Sequence, residues 1–182
     1  TLADQHYEPD DQEEIVRALV GGIRTVGLGT LWDQRLLHLK ARLAFLHQLD
    51  VEWPAVNDAT LELSLEQWLT PFLPVTRKLE GIGADILRHA LMARVPHAVA
   101  THLDALAPER LSVPTGSAIA IDYSDSAAPV LAVRLQELFG LMETPRIAGG
   151  RVPLTLHLLS PAGRPMQVTR DLASFWSNGY FE

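Results

Sequence analysis

Apolar residues recur every three or four positions through about the first 110 residues, then at every second position in several short runs. The pattern predicts helices first and strands afterwards. Asp11 stands three residues before Glu14 as a weak capping box, and Ile15, Leu19, Ile23 and Val26 then mark one helical face. Gly21, Gly22, Gly27 and Gly29 weaken this helix and are expected to end it near Leu28. Asp33 opens a second helix with a stripe of Leu36, Leu39, Leu43 and Leu46, and Arg35, Lys40 and Arg42 stand around that stripe. Pro54 breaks the pattern. Asn57 or Asp58 caps a third helix carrying Leu61, Leu65, Trp68 and Leu69, which Pro71 and Pro74 end. Fourth and fifth helices are expected over 84–94 and 97–106, closed by Pro108.

Residues 111–182 read differently. LSVP and SAIAIDY flank Thr115-Gly116, a hairpin signal because glycine supplies the positive φ of a tight turn. PVLAVRLQELFGLM reads as helical for most of its length, although its first residues also fit the end of a strand. RVPLTLHLLS alternates Val152, Leu154, Leu156 and Leu158 with Pro153, Thr155, His157 and Leu159; RPMQVT follows across the turn SPAG, and RDLASFWSN closes as a short helix. The implied fold class is α+β: an N-terminal helical part, 1–110, packed on a small antiparallel sheet with covering helices, 111–182.

Composition narrows the chemistry. The 182 residues include no cysteine, which excludes a disulfide scaffold, a thiolate metal site and a cysteine nucleophile. Net charge is −7, the wrong sign for a domain whose whole surface grips phosphates. Its distribution is uneven. Residues 1–110 hold 10 basic and 16 acidic groups, residues 111–182 only 5 and 6. No run of apolar residues is long enough for a membrane span and no export signal opens the chain, so the expected location is the cytoplasm, without membrane insertion. The polar start at Thr1, without Met, and the stop at Glu182 read as the ends of a piece of something longer.

The sequence contains no GxxxxGK[ST] loop, no GxGxxG turn and no GxSxG elbow. None of the seven histidines pairs at three- or four-residue spacing, and His97 and His102 are five apart, so no metal site is expected. Asp122 and Asp125 read as turn residues, and Glu137 as the partner of Arg134 in an intrahelical ion pair. Of the 15 basic residues 13 are arginine, which forks phosphate in two-pronged fashion. Arg146, Arg151 and Arg164 fall in expected loops beside Gly149, Gly150 and Gly163, and form the candidate nucleic-acid or partner surface. Phe175, Trp176 and Tyr180 have the ring faces to stack bases, but at helical spacing they read as core first.

PTGSAIAIDYS, followed by PVLAVRLQELFGLMETPRIAGGRVPLTLHLLSPAGRPMQVTRDLASFW, resembles the C-terminal region of the bacterial HrpB-type ATP-dependent helicases, DEAH-box proteins of superfamily 2. GIRTVGLGTLWDQRLLHLKARLAFLHQLD and LEQWLTPFL resemble the same family more loosely, so the likeness runs from Glu14 to Trp176. It implies a parent chain with two RecA-like motor lobes, then winged-helix, helical-bundle and oligonucleotide-binding modules, with this region after them. That parent would use ATP with Mg²⁺ to translocate on or remodel RNA. None of the motor motifs lies in these residues, so no catalytic residue and no cofactor-binding or metal-binding residue is assigned here. The family runs on into a short basic, Pro-rich tail where this sequence has NGYFE.

The expected role is therefore a non-catalytic accessory region of an ATP-dependent RNA helicase, with the upstream motor domains as partner and RNA or another protein as a further one. The competing class is a protein–protein interaction module without RNA contact, which the acidic balance favours. A third class, an independent enzyme, requires a deep pocket that gathers Asp122, His157 and Arg134.

Overall fold

The computed structural model describes residues 9–73 and 79–179. The first helix, α1 (Pro9–Val26), is followed by a 3-10 turn at Leu28–Leu31 and by α2 (Gln34–Leu49). Three short helices come next, α3 (Asp58–Leu63), α4 (Leu65–Trp68) and α5 (Ala84–Ala93), with α6 (His97–Ala100) and α7 (Leu103–Leu106) after them. Seven strands then run as β1 (Arg110–Ser112), β2 (Ala118–Asp122), β3 (Val130–Arg134), β4 (Arg146–Ile147), β5 (Val152–Pro153), β6 (Thr155–Leu159) and β7 (Pro165–Thr169). A last turn of helix, α8 (Leu172–Ser174), widens into a π turn over Phe175–Gly179. The class is α+β, and helix gives way to strand at Arg110. Two compact units divide the chain along other lines. One holds the described residues up to Lys40 with Pro54–Pro96, and the other holds Ala41–Trp53 with the described residues from His97 onward.

The first unit follows its apolar stripes. Ile15, Leu19 and Ile23 of α1 are buried as their spacing requires, whereas Val26 is 48% exposed. Gly21 and Gly22 stay inside the helix, which ends at Val26, before Gly27 takes φ +90°. Asp33 opens α2 by accepting the Leu36 N–H at 2.8 Å, and Asn57 caps α3 by accepting the Thr60 N–H at 2.9 Å. The expected third helix is two, because the Ser64 backbone leaves helical geometry and its hydroxyl turns back to the Thr60 carbonyl. Pro74 lies outside the described residues. Trp32 stacks on Trp68 with centroids 6.5 Å apart, and each indole N–H is satisfied, by Asp58 at 3.0 Å and by the Leu61 carbonyl at 2.8 Å. Lys40 pairs with Asp58 and lies 4.6 Å from the Trp32 ring centre.

The second unit is built on a five-stranded sheet in the order β1-β2-β3-β6-β7, with β4 and β5 as a separate two-stranded hairpin. The sheet is mixed. β3 and β6 run parallel, and the other three pairings are antiparallel. Residues 129–142, expected to be helical for most of their length with first residues that also fit a strand, hold the strand β3 at Val130–Arg134 and one 3-10 turn at Leu135–Leu138. Val130, Leu131 and Val133 are the β-shaped residues, and the leucine spacing of a helix is satisfied only locally. Pairing β3 with β6 in parallel needs a long crossover, and the 3-10 turn and the β4–β5 hairpin supply it. One sheet face is buried, through Ile121, Leu131, Val133, Leu156 and Leu158. Tyr123 extends this core, its ring 5.4 Å from Phe45 of α2 and its hydroxyl donating to the Pro108 carbonyl at 2.6 Å. Burial pushes the Tyr123 phenol above its ordinary pKa.

Arg42 is not a solvated flank of the α2 stripe but part of the core, 1% exposed. Its Nε donates to the Ala107 carbonyl at 2.7 Å, one terminal nitrogen to Asp104 at 2.6 Å and the other to Glu109 at 3.4 Å. A planar donor fork satisfies three acceptors at once, which a lysine could not do.

Candidate nucleic-acid interface

The three loop arginines divide into a pair and a single residue. Arg146 opens β4 and Arg151 precedes β5, so the hairpin brings both to one turn. That turn runs through the left-handed region at three consecutive residues, Ala148 at φ 54°, Gly149 at 66° and Gly150 at 85°. Only glycine adopts such values without strain, and Ala148 is held there because it is buried and its N–H donates to the Leu106 carbonyl at 2.8 Å. The Arg146 Nε donates to the Gly150 carbonyl at 2.7 Å and the Arg151 Nε to the Ala148 carbonyl at 3.3 Å. Both guanidinium groups are thus tethered to the backbone of their own turn. Arg164 lies elsewhere, in the turn from Ser160 to Arg164 between β6 and β7. The whole of β6, roughly 17 Å of strand, separates it from the hairpin along the chain.

The sheet face opposite the core carries the remaining arginines. Pairing sets Arg110 beside Ala120, Ala132 beside His157, and His157 beside Val168; Ala120 and Ala132 are the next residues of β2 and β3 after the Ile121–Leu131 pair. One line of the open face therefore follows Arg110 and Ala120 on β1 and β2, and Ala132, His157 and Val168 on β3, β6 and β7. A second row holds Arg134 and Leu159 and ends at Pro165, with Met166 at the irregularity between the Leu158 and Leu159 pairings. A third holds Asp122, Val130 and Thr155 and ends at Arg170, whose Nε donates to the Thr155 hydroxyl at 2.8 Å. Ala118, Ala120, Ala132 and Arg134 are exposed, Met166 is 56% and Val168 62% exposed, and His157 is half-buried.

Comparison with known proteins decides the family. The family model described as ATP-dependent helicase C-terminal, HrpB_C, matches residues 68–182, more than half of the chain. The chain belongs to this family. It is 40% identical over its whole length to an ATP-dependent RNA helicase HrpB of Escherichia coli strain K12, of which it spans 23%. Two solved structures agree. The crystal structure of the E. coli DExH-box NTPase HrpB superposes with a TM-score of 0.84 at 42% identity, covering 96% of this chain and 22% of that one. The crystal structure of the E. coli DEAH/RHA helicase HrpB gives 0.79 at 41%, covering 98% and 22%.

In this helicase C-terminal region the arginines of the hairpin and the sheet are not paired with carboxylates among the described residues. The ion pairs among the described residues are those of Arg24, Lys40 and Arg42, and none involves Arg110, Arg134, Arg146, Arg151, Arg164 or Arg170. The neighbouring acids are engaged with backbone and hydroxyl groups. Asp122 accepts from the Ser124 N–H and hydroxyl, Asp125 from the Ala127 N–H, and Asp171 from the Ser174 N–H and hydroxyl. Those Ser174 bonds, the backbone one foremost, hold the Asp171 carboxyl below its ordinary pKa. Glu137 makes no ion pair with Arg134, because Arg134 ends a strand and Glu137 sits in the 3-10 turn rather than one helical turn away.

Other candidates resolve plainly. Asp122, His157 and Arg134 share the open sheet face but occupy three different rows. Phe175 is buried; Trp176 is half-buried and donates its indole N–H to the Leu141 carbonyl at 2.8 Å, so both are structural here. Tyr180 lies outside the described residues. In the first unit a groove of about 850 Å³ follows α1, lined by Val16, Arg17, Val20, Arg24, Glu66 and Thr70 among others. Its Arg24 is held by a two-pronged bond to Glu66 at 2.6 and 2.9 Å, which raises the pKa of Arg24 and lowers that of Glu66. No helix of the described residues is long and apolar enough to cross a membrane. Sequence reasoning singles out the loop arginines and misses the sheet-face set. The signal is present, since Ala118, Ala120, Ala132, Arg134 and His157 occupy the alternate positions of strands whose apolar positions read as core.

Proposed function

We propose that this region is a non-catalytic accessory part of a cytoplasmic, DEAH-box, ATP-dependent RNA helicase. It braces the motor domains that precede it in the same polypeptide and touches RNA through exposed arginines, with Arg146, Arg151 and Arg164 as its loop contacts. The observation that carries the reading is the set of six arginines from Arg110 to Arg170 that make no ion pair among the described residues, in a protein of net charge −7. An acidic chain that leaves these guanidinium groups unneutralised keeps them available for phosphate oxygens. ATP and Mg²⁺ belong to the motor in this reading. This reading assigns no chemical step to the region itself.

Binding of a labelled single-stranded RNA to this chain, followed as salt is raised, tests the proposal. Phosphate contacts give an affinity that falls steeply and linearly on logarithmic axes. Absence of binding at low salt favours the second reading, a protein–protein interaction module, for which the overall charge of −7 speaks. Nucleotide turnover by this chain after rigorous purification would overturn the non-catalytic assignment.

A further inference from the structure

The proposed RNA contact has two candidate locations in the second unit, and they differ in what they offer a ligand. The β4–β5 hairpin offers two guanidinium groups, each with its Nε committed to a turn carbonyl. It presents no floor on which a base could lie. The open sheet face offers both charge and floor. Its middle row sets Ala132 beside His157 and His157 beside Val168, with Ala120 on the next strand, an apolar, shallow strip one residue deep. Arg110 closes one end of that strip, its terminal nitrogen resting 3.1 Å from the Ala118 carbonyl. Arg134 stands one row away at the ends of β3 and β6. Arg164 immediately precedes Pro165, which pairs with Leu159, the strand neighbour of Arg134. Arg170 bounds the opposite row. No hydrogen bond or ion pair among the described residues engages the side chains of Arg134, Arg164 or His157.

Dimensions limit the ligand. With strands about 4.8 Å apart, the middle row spans roughly 19 Å, and the four residues from the Arg134 row to the Arg170 row span about 13 Å. Such a patch suits a few unpaired nucleotides. It is too short for a duplex reader, which contacts two successive minor grooves across roughly 16 base pairs. Small alanines leave room for planar rings, an imidazole and apolar neighbours give them something to stack on, and arginines on the margins meet the backbone. Charge complementarity points the same way. Asp122 is the one carboxylate in the three rows, and it is bonded to Ser124.

We propose that the open face of the five-stranded sheet is a binding platform for single-stranded RNA, with Ala120, Ala132 and His157 under the bases and Arg134 and Arg164 on the phosphates. The inference rests on the reading that this region contacts RNA, and it moves the principal contact from the hairpin to the sheet.

The test measures anisotropy of a fluorescein-labelled oligouridine, and of a duplex of equal length, across a salt series. The variants are Arg134→Glu with Arg164→Glu, His157→Ala, Arg134→Lys, and the hairpin pair Arg146→Glu with Arg151→Glu. Thermal unfolding of each variant confirms the fold. The platform predicts that the Arg134/Arg164 variant lowers the logarithmic salt slope by about 0.9 for each phosphate that the protein no longer neutralises. Arg134→Lys restores that slope, a rescue that damage to the fold would not show. His157→Ala weakens binding while leaving the slope unchanged, and the duplex binds less tightly than the single strand. If the hairpin pair abolishes binding while the sheet-face variants match the parent, the platform is overturned and the RNA-contact reading survives. Equal affinity for duplex and single strand also overturns the platform. If the parent chain binds neither RNA at low salt, both readings fall together.

Discussion

Arg42 and Arg134 belong to the same compact unit, and the fold treats them in opposite ways. Arg42 is 1% exposed and gives its three nitrogens to Ala107, Asp104 and Glu109. Arg134 stands exposed at the end of β3, and no ion pair engages it among the described residues. The first guanidinium is used by the structure, tying the middle of α2 to the segment that leads into β1. The second contributes nothing visible to the fold, so its place on the sheet calls for an explanation outside it. The contrast extends to the two sides of the sheet. Leu131, Val133, Leu156 and Leu158 close the core, while Ala132, Arg134 and His157, their immediate neighbours in sequence, form a charged and shallow surface. A strand sends successive side chains to opposite faces, so two short strands suffice to write both.

The largest effect expected from breaking this contrast is at Arg42. Arg42→Met keeps much of the side-chain volume and removes the donors. Asp104 is 92% exposed at its side chain and Glu109 62%, so water replaces the guanidinium for both. The Ala107 carbonyl has no such recourse, since the residue is fully buried. Leaving it without a donor costs about 1–3 kcal/mol, which in a chain of this size lowers the melting temperature by roughly 2–4 °C per kcal/mol. Thermal or denaturant unfolding reads it out. An unchanged midpoint would mean that Arg42 is a solvated flank of α2 after all.

Much of the architecture is legible in periodicity, because it depends on strong local signals. The stripes of α1 and α2, the caps at Asp33 and Asn57, the turns at Gly116 and Gly163 and the change of regime at Arg110 all follow from side-chain spacing and turn chemistry. What escapes the sequence depends on pairing between distant segments. PVLAVRLQELF satisfies helical spacing, and its pairing with the distant β2 and β6 makes its first half a strand. Arg42 looks like any charge beside a leucine stripe until residues 62 to 67 positions away close over it. The candidate site divides likewise. The loop arginines are visible as residues, but their separation into a hairpin pair and a distant Arg164 is a matter of topology. The sheet-face set is non-local by nature, assembled from five strands whose order no periodicity encodes.

An intermediate effect concerns acid rather than substitution. Asp171 adjoins Arg170 in sequence, yet hydrogen bonds from Ser174, not the guanidinium, hold its carboxyl below the ordinary value. A depressed carboxyl pKa favours the folded state above the unfolded value, and the contribution is lost as pH falls through the lower folded one, below about pH 4. The Ser174 amide resonance should titrate there, below the usual aspartate range. Because Arg170 is not the cause, Arg170→Gln should leave that titration where it is. A shift back toward the ordinary value in the variant would show that Arg170 is paired after all, and would remove one arginine from the open face.

The smallest expected effect on stability is the most informative. Arg134→Met makes the same chemical change as Arg42→Met, at an exposed position where the guanidinium has no acceptor among the described residues. Substitutions of this kind stay within about 0.5 kcal/mol, and methionine at the end of β3 leaves the backbone pairing with β6 intact. The unfolding midpoint of Arg134→Met should therefore coincide with that of the parent, while its affinity for single-stranded RNA falls and becomes less sensitive to salt. The two curves must separate for the contrast to hold. A loss of stability as large as that of Arg42→Met would make Arg134 a second structural tie. A loss of neither stability nor binding would leave its exposure without a function.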